Sequence, residues 1–485
     1  MHLRSRADGV GNQMVPLCGN EDGRRGSRDL FARPEGLSKR RAGCASRHRT
    51  LPSPRTLRME LTSSTLVDKL MPELSTLFDT IRDQSRDGAG VTRDAFGPRE
   101  TQAADTLAAF ARRKGLEAGS DSAGNLHVTA AGALDDPPRI MLGSHLDSVP
   151  VGGNYDGLAG VIAGLAVLCL LDRGMATKAG VRVVGFRGEE SPWFSQAYLG
   201  SKLLLGEFAR EDLDSLRRYD TGKTLAEHLR SIGGSLGSGK LRPTIDLSKL
   251  KAYYELHIEQ APLLENLDLA VGIATAIRGN IRYPFASCRG HYAHSGAVPR
   301  RFRHDALVAS AKLIAFADQH WQELIDCGND DLVFTCGIFH TDGAEHAMTK
   351  VPGLVNFTLN IGGTRNAVMQ ALHDAIAARA SELAREHDVV FELGRRVGTP
   401  AIDLDESLIG GLERACGQVG LNSVRMPTVG HDAAMFQRRG IPAAVVLVRN
   451  ANGSHNPAEH MEMSDFAAGT KVLAAHILGR CQEEP

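Results

Sequence analysis

The chain has 485 residues, 42% hydrophobic and 23% charged, with a formal net charge of −1. It is long enough for two or three domains with a large core, ordinary for a soluble globular protein, and too evenly balanced to steer nucleic acid or an anionic membrane. Small neutral or zwitterionic ligands remain open. Eight cysteines, at 18, 44, 169, 288, 327, 336, 416 and 481, form no CxxC pairs, which fits reduced thiols in a cytosolic protein better than a disulfide frame or a zinc finger.

Residues 1–58 are Arg-rich and carry no apolar period, with runs such as GRRGSR and SKRRAGCASRHR. Such a segment buries too little apolar surface to offset its ordering entropy, so disorder is expected. A transit peptide is weakened by Asp8, Glu21, Asp22, Asp29 and Glu35, and a nucleic-acid patch by the lack of interleaved aromatics. A mis-assigned start, with the functional chain beginning at Met59, is the favoured reading. From Met59 the residues Leu66, Leu70, Leu74, Leu77, Phe78 and Ile81 recur at helical spacing, and a second helix is expected at Pro98 to Lys114.

Strand-like and helix-like segments then alternate. IMLGSHL, VRVVGF, AYYELHI and PAAVVLV are short, nearly continuous apolar runs, as in strands buried on both faces of a parallel sheet. The longest apolar run, Gly157 to Leu171, falls short of the ~20 residues of a bilayer span and ends in Asp172 and Arg173, so it reads as a buried helix. Residues 279–398 have another rhythm, strand, helix, strand, strand, helix, strand, which is the βαββαβ plan of ferredoxin-like domains. The expected fold is therefore α/β: a mostly parallel sheet from 59–278 and 399–485, interrupted by a second domain at 279–398.

Ligands of open α/β sheets gather beyond the carboxyl ends of the strands. His145 follows IMLGS, Glu189 and Glu190 follow VRVVGFRG, His257 ends AYYEL, and His455 follows PAAVVLVRNANGS. Asp156 joins them eleven residues after His145. Taken singly, each is more often a packed or solvated residue; their convergence at one edge points to metal. Three imidazoles with carboxylates suit zinc, manganese, cobalt or nickel. Five ligands exceed one tetrahedral ion, so two divalent ions sharing a carboxylate explain the set better. Asp147 is placed to orient the His145 ring through its other nitrogen.

GSHLDSVPVGGNYDG, RGEES, ELHIEQAP and GSHNPAE resemble, in this order, signature segments of the peptidase M20 superfamily. The match is to its hydantoinase/carbamoylase branch: N-carbamoyl-L-amino-acid hydrolases, β-ureidopropionases and allantoate amidohydrolases. The short gap from His145 to Asp156, and a histidine in His-Ile-Glu-Gln where the peptidases commonly use a carboxylate, select that branch. The resemblance implies that His145, Asp156 and His257 hold one ion and Asp156, Glu190 and His455 the other. Glu189 would be the general base, taking a proton from a metal-bridging water that attacks the carbamoyl or amide carbon. The second domain resembles the family's lid, which also forms a homodimer; His294 in GHYAHSG matches a lid histidine that reaches substrate, and Gln260 a polar residue near the pocket.

The chain also departs from the family. Where relatives carry Asn-Val-(Val/Ile)-Pro and then Asp-x-Arg to grip the substrate's carboxylate, it has Thr349 at the Asn position, Asn360 at the Asp position and Gly362 at the Arg position. Glycine offers no guanidinium fork. Lys350 and Arg365 are the candidates to compensate, against their reading as exposed charges. The expectation is a cytosolic metal-dependent amidohydrolase acting on an N-carbamoyl-L-amino acid or related ureido compound. Allantoate amidohydrolase, an M20-type peptidase, and a catalytically impaired relative without its carboxylate clamp are the alternatives.

Overall fold

A computed structural model of the chain describes residues 54–171, 173–235 and 241–483. The first helix, Pro54–Gln84, starts five residues before the expected boundary, while 1–53 lie outside the described residues. Its buried stripe is Val67, Leu74, Leu77, Phe78 and Ile81; Leu66, expected on that stripe, is 38% exposed, because Val67 takes the inward position. The second helix spans Pro98–Arg113.

Fourteen strands define two sheets. They are β1 Leu116–Ser120, β2 Leu126–Ala130, β3 Ile140–His145, β4 Val181–Phe186, β5 Ala252–Ile258, β6 Val271–Ile277, β7 Gly279–Arg289, β8 Val333–Thr335, β9 Phe339–Thr341, β10 Leu354–Gly363, β11 Val390–Glu392, β12 Ile402–Asp403, β13 Ser423–Thr428 and β14 Ala443–Val448. The large sheet runs β12-β6-β14-β5-β3-β4-β2-β1, with β13 also on β6. Its centre, β14, β5, β3 and β4, is parallel, and these are the four apolar runs read from the sequence.

The flanks correct the expected mostly parallel sheet. β1, β2, β12 and β6 join by antiparallel pairing, leaving a mixed α/β sheet. Residues 121–125 between β1 and β2 are too few for a crossover, so those neighbours must run antiparallel. The helix Leu158–Leu170 packs on this sheet and is buried from Leu158 to Leu168, as its unbroken apolar composition requires. Among the described residues no helix is long and apolar enough to cross a membrane, and none of Cys169, Cys288, Cys327, Cys336, Cys416 and Cys481 forms a disulfide.

The second sheet runs β8-β10-β7-β11 with β9 also on β10, all antiparallel. The single strand expected over LVFTCGIF is two short ones, β8 and β9, both paired to β10. Helices Ala306–Asp326 and Asn366–His387 cover one face through Ile281, Tyr283, Leu359, Ile361 and Leu372, a hydrophobic cluster separate from that of the large sheet.

Candidate metal centre

Burial on both faces forces β3, β4, β5 and β14 to be apolar, so polar groups appear where these strands end. His145 is the last residue of β3 and His257 the penultimate residue of β5, both 1% exposed. His145 Nε2 lies 3.2 Å and His257 Nε2 3.1 Å from Asp156 Oδ1, and the two imidazole nitrogens are 3.5 Å apart. On the other side of Asp156, His455 Nε2 is 3.5 Å from Oδ2 and 3.1 Å from Glu190 Oε1. His145, Glu189 and Glu190 also bring ligand atoms within 4.8 Å of one another.

The turns make these approaches possible. Gly157 has φ 67°, and a Cβ there would lie 2.5 Å from the His145 ring. A Cβ on Gly153 would strike the carboxyl of Glu459 at 2.1 Å; instead Glu459 Oε1 accepts the peptide N–H groups of Tyr155, at 2.7 Å, and Asp156, at 3.3 Å. Asp147 fixes two strands' loops together. Its carboxylate accepts the N–H groups of Glu189 (2.9 Å) and Glu190 (3.0 Å) and sits 3.4 Å from His145 Nδ1. His145 Nδ1 is 3.1 Å from the Asp147 carbonyl and His257 Nδ1 is 2.9 Å from that of Ile258, so protons on Nδ1 leave each Nε2 lone pair facing Asp156.

Charge follows the same geometry. Burial works against a charged His145, but Asp147 and Asp156 outweigh it and hold its pKa well above the ordinary value. Burial likewise opposes an ionised Asp156, yet His257 and His145 pull it well below the usual carboxylate range. The bond to Glu190 lifts His455 to about 9. Glu189 is pushed well up by burial, with Glu190 and Asp432 adding to it against His145. Buried acceptors converging on one point, with protons or cations strongly favoured there, make a donor set that a divalent ion fits.

A deeper layer went unread in the sequence. Glu255 is fully buried, accepting from Ser144 Oγ at 2.6 Å and from the Ala433 N–H at 3.0 Å. The His431 ring lies 4.2 Å from that of His257, and its Nε2 is 2.7 Å from Thr428 Oγ1. Glu255, His257 and His431 bring ligand atoms within 4.8 Å of one another as well, so this layer shares His257 with the cluster around Asp156. Burial, then Glu255, pushes the neighbouring Asp432 up to about 8. The available signal was His-Asp directly after a strand, but β13, SVRMPT, lacks the apolar run that marked the others.

The structure thus brings together His145, Asp147, Asp156, Glu189, Glu190, His257 and His455. Gln260 stands at the rim, donating to Asp156 Oδ2 at 2.7 Å and Ser454 Oγ at 3.1 Å. His294, Lys350 and Arg365 share no hydrogen bond or ion pair with this group. His294 is exposed and accepts from Gly296 and Ala297; Lys350 is held by Glu345 at 2.8 Å; Arg365 donates to the Gly328 carbonyl at 2.6 Å.

Residues 141–478 match the family described as peptidase family M20/M25/M40. The chain belongs to this family. A relative from Geobacillus stearothermophilus, N-carbamoyl-L-amino acid amidohydrolase, is 33% identical across 79% of this chain and 92% of its own. The allantoate amidohydrolase of Escherichia coli is 28% identical across 79% and 92%. Among solved structures, a hydantoinase/carbamoylase family amidase from Burkholderia multivorans is 26% identical with a TM-score of 0.74, covering 85% of this chain and 98% of that one. The family domain starts at Met141, in the strand that ends in His145, and takes in every member of the cluster.

Proposed function

We propose that this protein is a metal-dependent amidohydrolase that cleaves a linear, non-peptide carbon–nitrogen bond of an N-carbamoyl-L-amino acid or a related ureido compound. The observation that carries this is Asp156, whose two oxygens each face a separate donor group, beside the buried and protonatable Glu189. The names of the relatives supply the substrate class, with allantoate as the second candidate because both activities occur at comparable identity.

His145, Asp156 and His257 would hold one divalent ion, zinc, manganese, cobalt or nickel, and Asp156, Glu190 and His455 a second. Bound there, the metals supply a lowered pKa for water and polarisation of the scissile carbonyl. The rest is the work of side chains. Asp147 keeps the His145 ring and the Glu189-Glu190 backbone in register. Glu189 takes a proton as a water oxygen bonds to the carbonyl carbon, and returns it to the nitrogen as the carbon–nitrogen bond breaks. Its raised pKa suits it to hold that proton between the two events.

Residues 279–398 act as a lid and dimerisation domain, whose closure excludes water and brings His294 to the substrate. Phe285, 82% exposed, and Val390, 57% exposed, offer this part of the molecule an apolar face for a second copy.

Full-length protein loaded in turn with zinc, manganese, cobalt or nickel is expected to release ammonia from N-carbamoyl amino acids, N-carbamoyl-β-alanine or allantoate, and to leave dipeptides intact. No turnover on any of these with two ions bound per chain would sink the reading. Glu189→Gln should lower kcat by about 100- to 10,000-fold at unchanged metal content. Loss of metal instead would make Glu189 a ligand.

A further inference from the structure

Asp156 has to divide itself between two groups of donors. Its Oδ1 faces His145 and His257, and its Oδ2 faces His455. A carboxylate serves two ions at once only if its orientation is fixed by partners outside the donor set.

The peptide of Asp156 is held from both sides. Its carbonyl accepts from Arg93 Nη2 at 3.4 Å, and the fully buried Arg93 also donates to the Leu146 carbonyl at 2.7 Å. The N–H groups of Tyr155 and Asp156 both donate to one oxygen, Glu459 Oε1, at 2.7 and 3.3 Å. The second oxygen, Glu459 Oε2, lies 3.3 Å from Ser454 Oγ, which donates to Asp156 Oδ2 at 2.5 Å. Glu459 therefore reaches Asp156 twice: at its peptide and, through one hydroxyl, at the oxygen that faces His455.

One loop after β14 carries Ser454, His455 and Glu459. Ala451 and His460 close it by exchanging backbone hydrogen bonds at 2.7 and 3.1 Å. Within it, Asn450 Nδ2 donates to the Gly453 carbonyl at 2.7 Å and Asn452 Nδ2 to that of Ala458 at 2.8 Å. His455 has φ 61°, a left-handed backbone that a non-glycine residue keeps only where its surroundings over-determine it. The loop is thus a fixed piece that delivers a ligand together with the support of the carboxylate beside it. The opposite wall is cut to fit, because a Cβ on the buried Gly153 would lie 2.1 Å from Glu459 Cδ and 2.4 Å from its Cβ.

We propose that Glu459 is the positioning residue of Asp156, its acceptor oxygens rather than its charge holding the shared carboxylate so that Oδ2 faces the ion of Glu190 and His455. This rests on the two-ion amidohydrolase reading above.

The test follows zinc uptake by metal-free, full-length protein in a calorimeter and amide hydrogen exchange over residues 150–157 by mass spectrometry. Wild type should take up two ions per chain. Glu459→Ala should weaken the ion on the Oδ2 side about 10- to 100-fold and leave the other within about threefold. It should also speed exchange over 150–157 at least about tenfold, since two N–H groups lose their acceptor. Glu459→Gln keeps an acceptor for both and should stay within about threefold of wild type in each measurement. Gly153→Ala leaves Glu459 chemically intact but displaces its carboxylate, so it should behave as Glu459→Ala does, and it decides the matter should Glu459→Ala not fold. Wild-type exchange and uptake in Glu459→Ala, equal weakening of both ions, or a Gln variant as damaged as the Ala variant overturns the role of Glu459 and leaves the amidohydrolase reading standing. Two ions bound by wild type with no turnover of any ureido compound ends that reading, while selective loss in Glu459→Ala still upholds the positioning role. Fewer than two ions in wild type overturns both.

Discussion

Asp147 shows how much one buried carboxylate can hold together, since it joins the imidazole at the end of β3 to the backbone of Glu189 and Glu190 beyond β4. The first of those links was readable two residues from His145; the second needed β3 and β4 side by side. His476 carries a different consequence. Burial, then Arg480 and Arg414, push it down to about 4. Tyr254 Oη accepts from Arg480 at 2.8 Å and lies 2.9 Å from His476 Nε2, so the neutral ring takes the tyrosine proton. With the folded value below the ordinary 6.5, this stability is fully present above pH 6.5 and lost as pH falls towards 4. The loss by then is on the order of 3 kcal/mol. Urea midpoints of wild type should fall over that window and those of His476→Gln should fall less; parallel curves would remove His476 as the cause.

The element that most governs the centre is the turn between β3 and the helix Leu158–Leu170. Its glycines were visible in the sequence, but not which of them had a job. Gly157 combines a left-handed backbone with a His145 ring 2.5 Å from where a Cβ would stand. Gly157→Ala should therefore cost about 1–3 kcal/mol in strain and displaced packing. It should also weaken metal binding at least about tenfold by moving the ring. Thermal unfolding and metal content read both effects, and a variant with wild-type metal content would show that the ring tolerates the intrusion. β13 illustrates the opposite case. Without an apolar run it escaped notice, and His431 and Asp432 beyond it went unread with it.

For the whole molecule, the separate hydrophobic clusters of the large and the second sheet make a testable division. Phe357 is 2% exposed in the smaller one, with Phe339 and Phe391 rings 6.3 and 6.4 Å away. Phe357→Ala should cost about 3–5 kcal/mol. Calorimetry should then show an early transition for this part alone, with the metal content of the large sheet preserved; one shifted transition would mean a single cooperative unit. Sequence alone determined the four central strands and which polar residues stand at their carboxyl ends, because doubly buried strands must be apolar and polar groups then mark their ends. Tertiary structure decided the antiparallel flanks, the layer of Glu255 and His431 behind His257, and the grip of Glu459 on the peptide of Asp156. Those contacts join residues far apart in the chain, and no local pattern records which strand or loop lies beside which.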